Sequence, residues 1–166
     1  MSLAESLLPE FDHEMGVTRR ALERVPDGHF GWAPHEKSMT LGRLAEHLAE
    51  MPQWCSVTLK QDRLDTSSGR PAGYETPATR DAVLAMFHKN LTEARAALAG
   101  RTDAELMAPW TLAAQGKEIF TMPKVAVLRG FVMNHMIHHR GQLSVYLRLQ
   151  GVPVPSMYGP SADEPM

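Results

Sequence analysis

Only one cysteine, Cys55, occurs in the 166 residues. No intrachain disulfide can form, so the fold must be held by packing, and such usage suits a reducing cytoplasm. A basic surplus is missing too: 17 lysines and arginines stand against 19 acidic residues, for a formal net charge of −2. Binding to nucleic acid by phosphate neutralisation needs a basic patch, and only short pairs such as Arg19-Arg20 occur, so none is expected. No apolar run has the length to cross a bilayer. The opening MSLAESLLPE lacks the basic start and apolar stretch of a signal peptide. The expectation is a cytoplasmic protein with no membrane contact.

What is present is ordinary globular material. Apolar residues make up 43% and charged residues 22%, which excludes disorder and fibres. The length suits a single domain over residues 1–166. A chain of this size buries roughly 70% of its unfolded surface.

Four segments carry helical periodicity. The first spans about 3–25, with Pro9 marking either a kink or the true first turn. PDGHFGWAPHEKS then reads as a loop around Trp32. The second helix starts at a cap on Ser38 or Thr40 and runs to about Leu59, with a kink or break at Pro52. DTSSGRPAGYETP is a polar loop. The third helix is capped near Thr79 and stops at Gly100. PWTLAAQGKEIFTMP has no helical period and reads as a small hairpin turning near Gln115-Gly116. Thr121 and Pro123 announce the fourth helix, which Gly151 ends. The expected fold is all-α, a four-helix bundle with a short hairpin before the last helix. Such bundles build metal and cofactor sites from side chains on facing helices.

Eight histidines occur, three of them between His135 and His139. At 100° per residue, Leu128, Phe131, His135, His139, Gln142 and Tyr146 fall within about 80° of arc. His135 and His139 are therefore stacked one turn apart on an apolar stripe, a spacing that lets two imidazoles converge on one ion. His138 points about 60° away from His135, toward the bundle edge. On the second helix His47 shares a face with Leu44, Met51 and Trp54, widened by Leu48 and Cys55. His47, His135 and His139 thus form a candidate triad for zinc or nickel, leaving coordination positions for water or substrate. An i,i+4 histidine pair alone is a weak signal that a paired core histidine or chance exposure also gives. His13, His29, His35 and His88 have no such partner and read as surface or loop residues.

Other motifs carry less. HMIHH is not H-E-x-x-H, because Met136 stands where a metalloprotease has its general base. Cys55 lies about 12 Å beyond His47 along a straight helix, which makes it a core residue rather than a fourth ligand. Trp32, Trp54 and Trp110 are candidates to line a pocket near the metal, with core packing favoured for Trp54. Glu50 lies about 60° from His47 and is the one carboxylate placed as a candidate base; Glu46 lies about 100° away. Gln142 shares the arc and can bond a ligand imidazole or a bound water from outside. Arg140 is expected to pair with a carboxylate on the bundle surface or near the tail. Gly141 either permits a close helix approach or is simply tolerated. The tail carrying Tyr158, Ser161 and Asp163 is placed to fold back over the bundle.

LAEHLAEM, together with NHMIHHRGQLSVYLRLQGVPVPSMYGPSADE, resembles the DinB-like family of damage-inducible bacterial proteins. The likeness spans nearly the whole chain in helix order and is most specific in the last 35 residues. It implies a four-helix bundle that holds a divalent ion, commonly nickel or zinc, on three histidines. Matched residue by residue, these are His47, His135 and His139. It also implies a homodimer formed through the helices. Related proteins add bacillithiol or mycothiol to electrophiles, or isomerise maleylpyruvate with mycothiol. The reaction implied is therefore thiol transfer to a small molecule, with the metal holding a low-molecular-weight thiol as the attacking thiolate. Metal-assisted hydrolysis is the alternative enzyme, and a stress-related metal- or ligand-binding protein the non-catalytic alternative.

Overall fold

A computed structural model describes residues 1–70 and 74–165. Helix α1 (Leu3–Leu22) begins at a capping box: the Ser2 hydroxyl accepts from the Glu5 amide, while the Glu5 carboxylate accepts from the Ser2 amide. The two reciprocal bonds satisfy two orphan donors of the first turn. Pro9 lies inside the helix and does not start it. Helix α2 (Leu41–Lys60) is capped by Thr40, and α3 (Arg80–Leu98) by Thr79. Pro52 sits inside α2 without ending it. A short α4 (Asp103–Met107) repeats the capping box with Thr102 and Glu105.

The expected hairpin is present. Strands β2 (Pro109–Ala114) and β3 (Lys117–Pro123) pair antiparallel around Gln115 and Gly116, whose φ angles are 51° and 73°. Two successive positive φ values match the twist of the flanking strands. A third strand, β1 (Arg63–Asp65), adds parallel to β2, giving the order β1-β2-β3. It falls partly in the stretch read as a polar loop, where its three residues are too few to show alternation. Pro71, Ala72 and Gly73 of that loop lie outside the described residues.

The last helical stretch is not uniform. It comprises α5 (Lys124–Val127), a π-helical turn (Leu128–Asn134) and α6 (His135–Leu149). Its end is a Schellman motif: Gly151, at φ 67°, donates to the Arg148 carbonyl, and Val152 to that of Leu147. The π turn corrects the expected phase. Extra residues per turn rotate the segment before His135 relative to a straight helix. Phe131 is consequently 38% exposed and stacks on Phe120, with ring centroids 4.6 Å apart.

Helices α1, α2, α3 and α6 enclose one apolar core that includes Phe11, Leu48, Cys55, Phe87 and Leu143. A smaller cluster of Trp110, Leu112 and Val127 lies at the sheet. Gly42 seats the Trp32 loop on the start of α2. Its amide donates to the Phe30 carbonyl at 2.9 Å, and a Cβ there would lie 2.6 Å from the Phe30 ring.

Arg140 does pair with a carboxylate, Glu14, near the tail as expected but in the interior rather than at the surface. It is 1% exposed and donates to Glu14, Thr18 and Tyr158. The tail folds back as expected, with Tyr158 meeting Glu14 and Asp163 meeting Arg148. Gly141 faces open space, so no close helix approach within the chain depends on it. Among the described residues no helix is long and apolar enough to cross a membrane.

Candidate metal centre

Two helices build the centre. His47 comes from the middle of α2, and His135 and His139 from the first turns of α6. The ligand atoms of the three lie within 4.8 Å of one another. The Nε2 atoms of His135 and His139 are 2.8 Å apart, and those of His47 and His135 are 3.3 Å apart. Imidazole nitrogens sharing one ion at about 2.0–2.1 Å stand roughly 2.9–3.4 Å apart; the 3.3 Å pair falls in that range and the 2.8 Å pair just below it, which suits a common cation.

The opposite edge of each ring shows which form it takes. His139 Nδ1 lies 2.7 Å from Gln142 Oε1, an acceptor, so that nitrogen carries the proton. The Gln142 amide nitrogen is turned to His138 at 3.2 Å, which orients the carboxamide. The His135 ring hydrogen-bonds the backbone of Phe131 one turn earlier. In the tautomers where both outer nitrogens donate, the Nε2 atoms of His135 and His139 face each other as lone pairs. Such an arrangement is repulsive unless a cation lies between them. The donor set therefore fits a divalent metal.

Electrostatics favour the neutral, metal-binding form. Burial first, then the neighbouring His47, pulls the His135 pKa below the usual histidine value. Burial lowers that of His139 as well, with His47, His135 and His138 adding to it, against the opposing bond to Gln142.

Behind His47 lies an ionic network that the linear chain does not display. Glu50 Oε2 is 3.7 Å from His47 Nδ1, too long for a hydrogen bond but close enough to orient the ring. Glu50 also meets Arg43 and Arg70, and Glu46, whose side chain is 0% exposed, meets the same two guanidinium groups. The Tyr74 hydroxyl lies 2.8 Å from Glu46 and 2.7 Å from Glu50, so one proton serves two carboxylates. Burial pushes the Glu50 carboxyl up, but His47, Tyr74, Arg43 and Arg70 together outweigh it and bring it down to about 2. The same burial and both carboxylates push the Tyr74 phenol up.

The remaining candidates separate. His138 is exposed at the edge, and His13, His29, His35 and His88 are exposed away from the triad. Cys55 is a core residue, its thiol pushed up to about 12 by burial. Trp32 packs edge-on against Tyr146, Trp110 fills the cluster at the sheet, and Trp54 lines a cavity of about 610 Å³ next to Glu50. Sequence reasoning missed Tyr74 and Arg70, which lie twenty or more residues from the carboxylates they hold, with no local spacing to reveal them.

Comparison with known proteins agrees with this architecture. The chain is 26% identical over 162 residues to the uncharacterized protein YrdA of Bacillus subtilis, covering 96% of this chain and 90% of that protein. A DinB-like protein from Bacillus cereus has the same fold, with a TM-score of 0.69, 24% identity and coverage of 93% and 97% of the two chains. The DinB-like protein YjoA from Bacillus subtilis aligns with a TM-score of 0.70, 22% identity and coverage of 92% and 97%. The sequence model of the DinB family matches residues 1–166, and the chain belongs to that family.

Proposed function

We propose that His47, His135 and His139 hold a divalent metal ion, nickel or zinc, and that the chain is a metal-dependent enzyme transferring a small-molecule thiol to an electrophile. The observation that carries the metal is the 2.8 Å approach of two imidazole nitrogens, His135 Nε2 and His139 Nε2, with His47 Nε2 3.3 Å from the first. When bound there, the ion supplies a Lewis acid that favours the ionised form of a thiol or a water. The chain's own residues set the stage: Gln142 and the Phe131 backbone hydrogen-bond two rings, and the Glu50 carboxylate stands 3.7 Å from the Nδ1 of the third. Three neutral imidazoles leave the ion's positive charge largely uncompensated, which suits an anionic sulfur.

Hydrolysis is the weaker reading for a specific reason. Glu50, the candidate base, touches the Nδ1 edge of His47, away from the edge turned to the other histidines. It is also committed to two arginines and Tyr74. The family resemblance carries a homodimer into the proposal as well. Val145 and Leu149, more than half exposed on α6, offer apolar surface for helix pairing. Sedimentation equilibrium tests this by the mass in solution.

Protein purified without chelator should contain about one divalent ion per chain by elemental analysis. His47→Ala should lose it; unchanged content would overturn the triad. The metal-loaded protein, given low-molecular-weight thiols and a panel of electrophiles, should form conjugates that His135→Ala does not form. Full metal occupancy with no product from any thiol would leave a non-catalytic binding protein.

A further inference from the structure

The cavity of about 610 Å³ is lined by residues of α2, α3 and the β1 region, among them Glu50 but none of the three histidines. Its volume is that of a site for a small organic ligand. Trp54, Val57, Leu64 and Met86 supply an apolar wall. Trp54 packs against both apolar clusters, so this wall is anchored from behind.

The charges sort into two groups. Glu50 and Arg70 line the cavity but are already balanced within the network of Glu46, Arg43 and Tyr74. Lys89 and Glu75 also line it, and both are exposed. Neither side chain has an ion pair or hydrogen bond among the described residues, and the two do not pair with each other. Asn90 donates to the Ala49 carbonyl at 2.8 Å, which leaves its side-chain oxygen to accept.

We propose that this cavity binds a zwitterion with an apolar side chain, an α-amino acid or a close derivative. A neutral apolar molecule leaves Lys89 and Glu75 unused, an anion meets the Glu75 carboxylate, and a cation meets the Lys89 ammonium. A zwitterion answers both charges while its side chain lies on Trp54 and Met86. The inference rests on the cavity and stands independently of the metal and of thiol transfer.

The test is calorimetric titration of the full chain with L-phenylalanine, phenylalaninamide and N-acetylphenylalanine. Phenylalanine should bind saturably, and each blocked derivative roughly tenfold more weakly. Lys89→Gln should erase the preference for a free carboxylate, and Glu75→Gln the preference for a free ammonium. Both residues are exposed, so these variants should fold, which circular dichroism checks. Trp54→Ala should weaken all three ligands. Binding should persist in His135→Ala, so failure of the metal reading leaves this one standing. Absence of saturable binding overturns the proposal. So does equal binding of all three compounds, or a preference that both charge variants retain.

Discussion

His47 Nε2 lies 3.3 Å from His135 Nε2, joining residues 88 positions apart in the chain. The contact ties α2 to α6 at the level where His139 also arrives. Each ring can face inward because its outer edge is engaged by something else: Glu50, the Phe131 backbone or Gln142. Holding the rings in this way reduces the ordering needed when an ion binds.

Metal affinity should therefore depend on residues that never touch the ion. Glu50→Ala and Gln142→Ala should each weaken binding by about 10–100-fold. Competition against a chromophoric chelator measures this. Affinities equal to wild type in both variants would show that ring orientation is set elsewhere.

Glu14 and Arg140 form a buried pair at 2.7 Å, with side chains 7% and 1% exposed. Removing one partner strands a charge. Glu14→Ala should cost about 3–5 kcal/mol in urea unfolding. Tyr158→Phe, which deletes one hydroxyl from the same cluster, should cost about 1 kcal/mol. Replacing Glu14 and Arg140 together with Leu and Met should recover most of the loss, since no unpaired charge remains.

Cys55 should be silent toward thiol reagents in the native chain. Burial pushes its thiol up to about 12, and the sulfur donates to the Ala94 carbonyl. The nucleophile is the thiolate, which is scarce at pH 8 and here also shielded. A disulfide reagent should release no chromophore until guanidinium unfolds the chain. Rapid reaction in the folded state would mean that the core around α2 and α3 opens readily.

Glu105 predicts part of the acid limb of stability. Bonds from the Thr102 backbone and hydroxyl, then Arg101, lower its carboxyl from 4.5 to about 2. A depressed folded-state pKa contributes stability that is fully present above pH 4.5 and is lost as pH falls toward 2. Urea unfolding across that window should show a shallower slope for Glu105→Gln than for wild type. Identical slopes would show that the capping box contributes nothing to acid sensitivity.

Much of the architecture follows from local rules. Thr40, Thr79 and Gly151 mark helix ends because capping bonds and positive φ act within a few residues. The Gln115-Gly116 turn is equally local. His135 and His139 fall on one side of a helix through spacing alone, and His47 on an apolar face in the same way. Phe131 resisted this reading because a π turn changes the angle per residue, and no simple spacing announces one. Gly141 could not be judged either, since what a glycine is for depends on what lies beside it.

Helical periodicity, caps and turn chemistry thus determined the long helices, the hairpin and the faces that carry the three imidazoles, because each depends on neighbours a few positions away. The meeting of those imidazoles at one point was settled only by the packing of α2 against α6. Packing likewise drew Arg70 and Tyr74 onto Glu46 and Glu50, buried Arg140 beside Glu14, and placed β1 against β2. These are contacts between distant segments, and their geometry comes from how the helices fill a shared core rather than from any spacing along the chain.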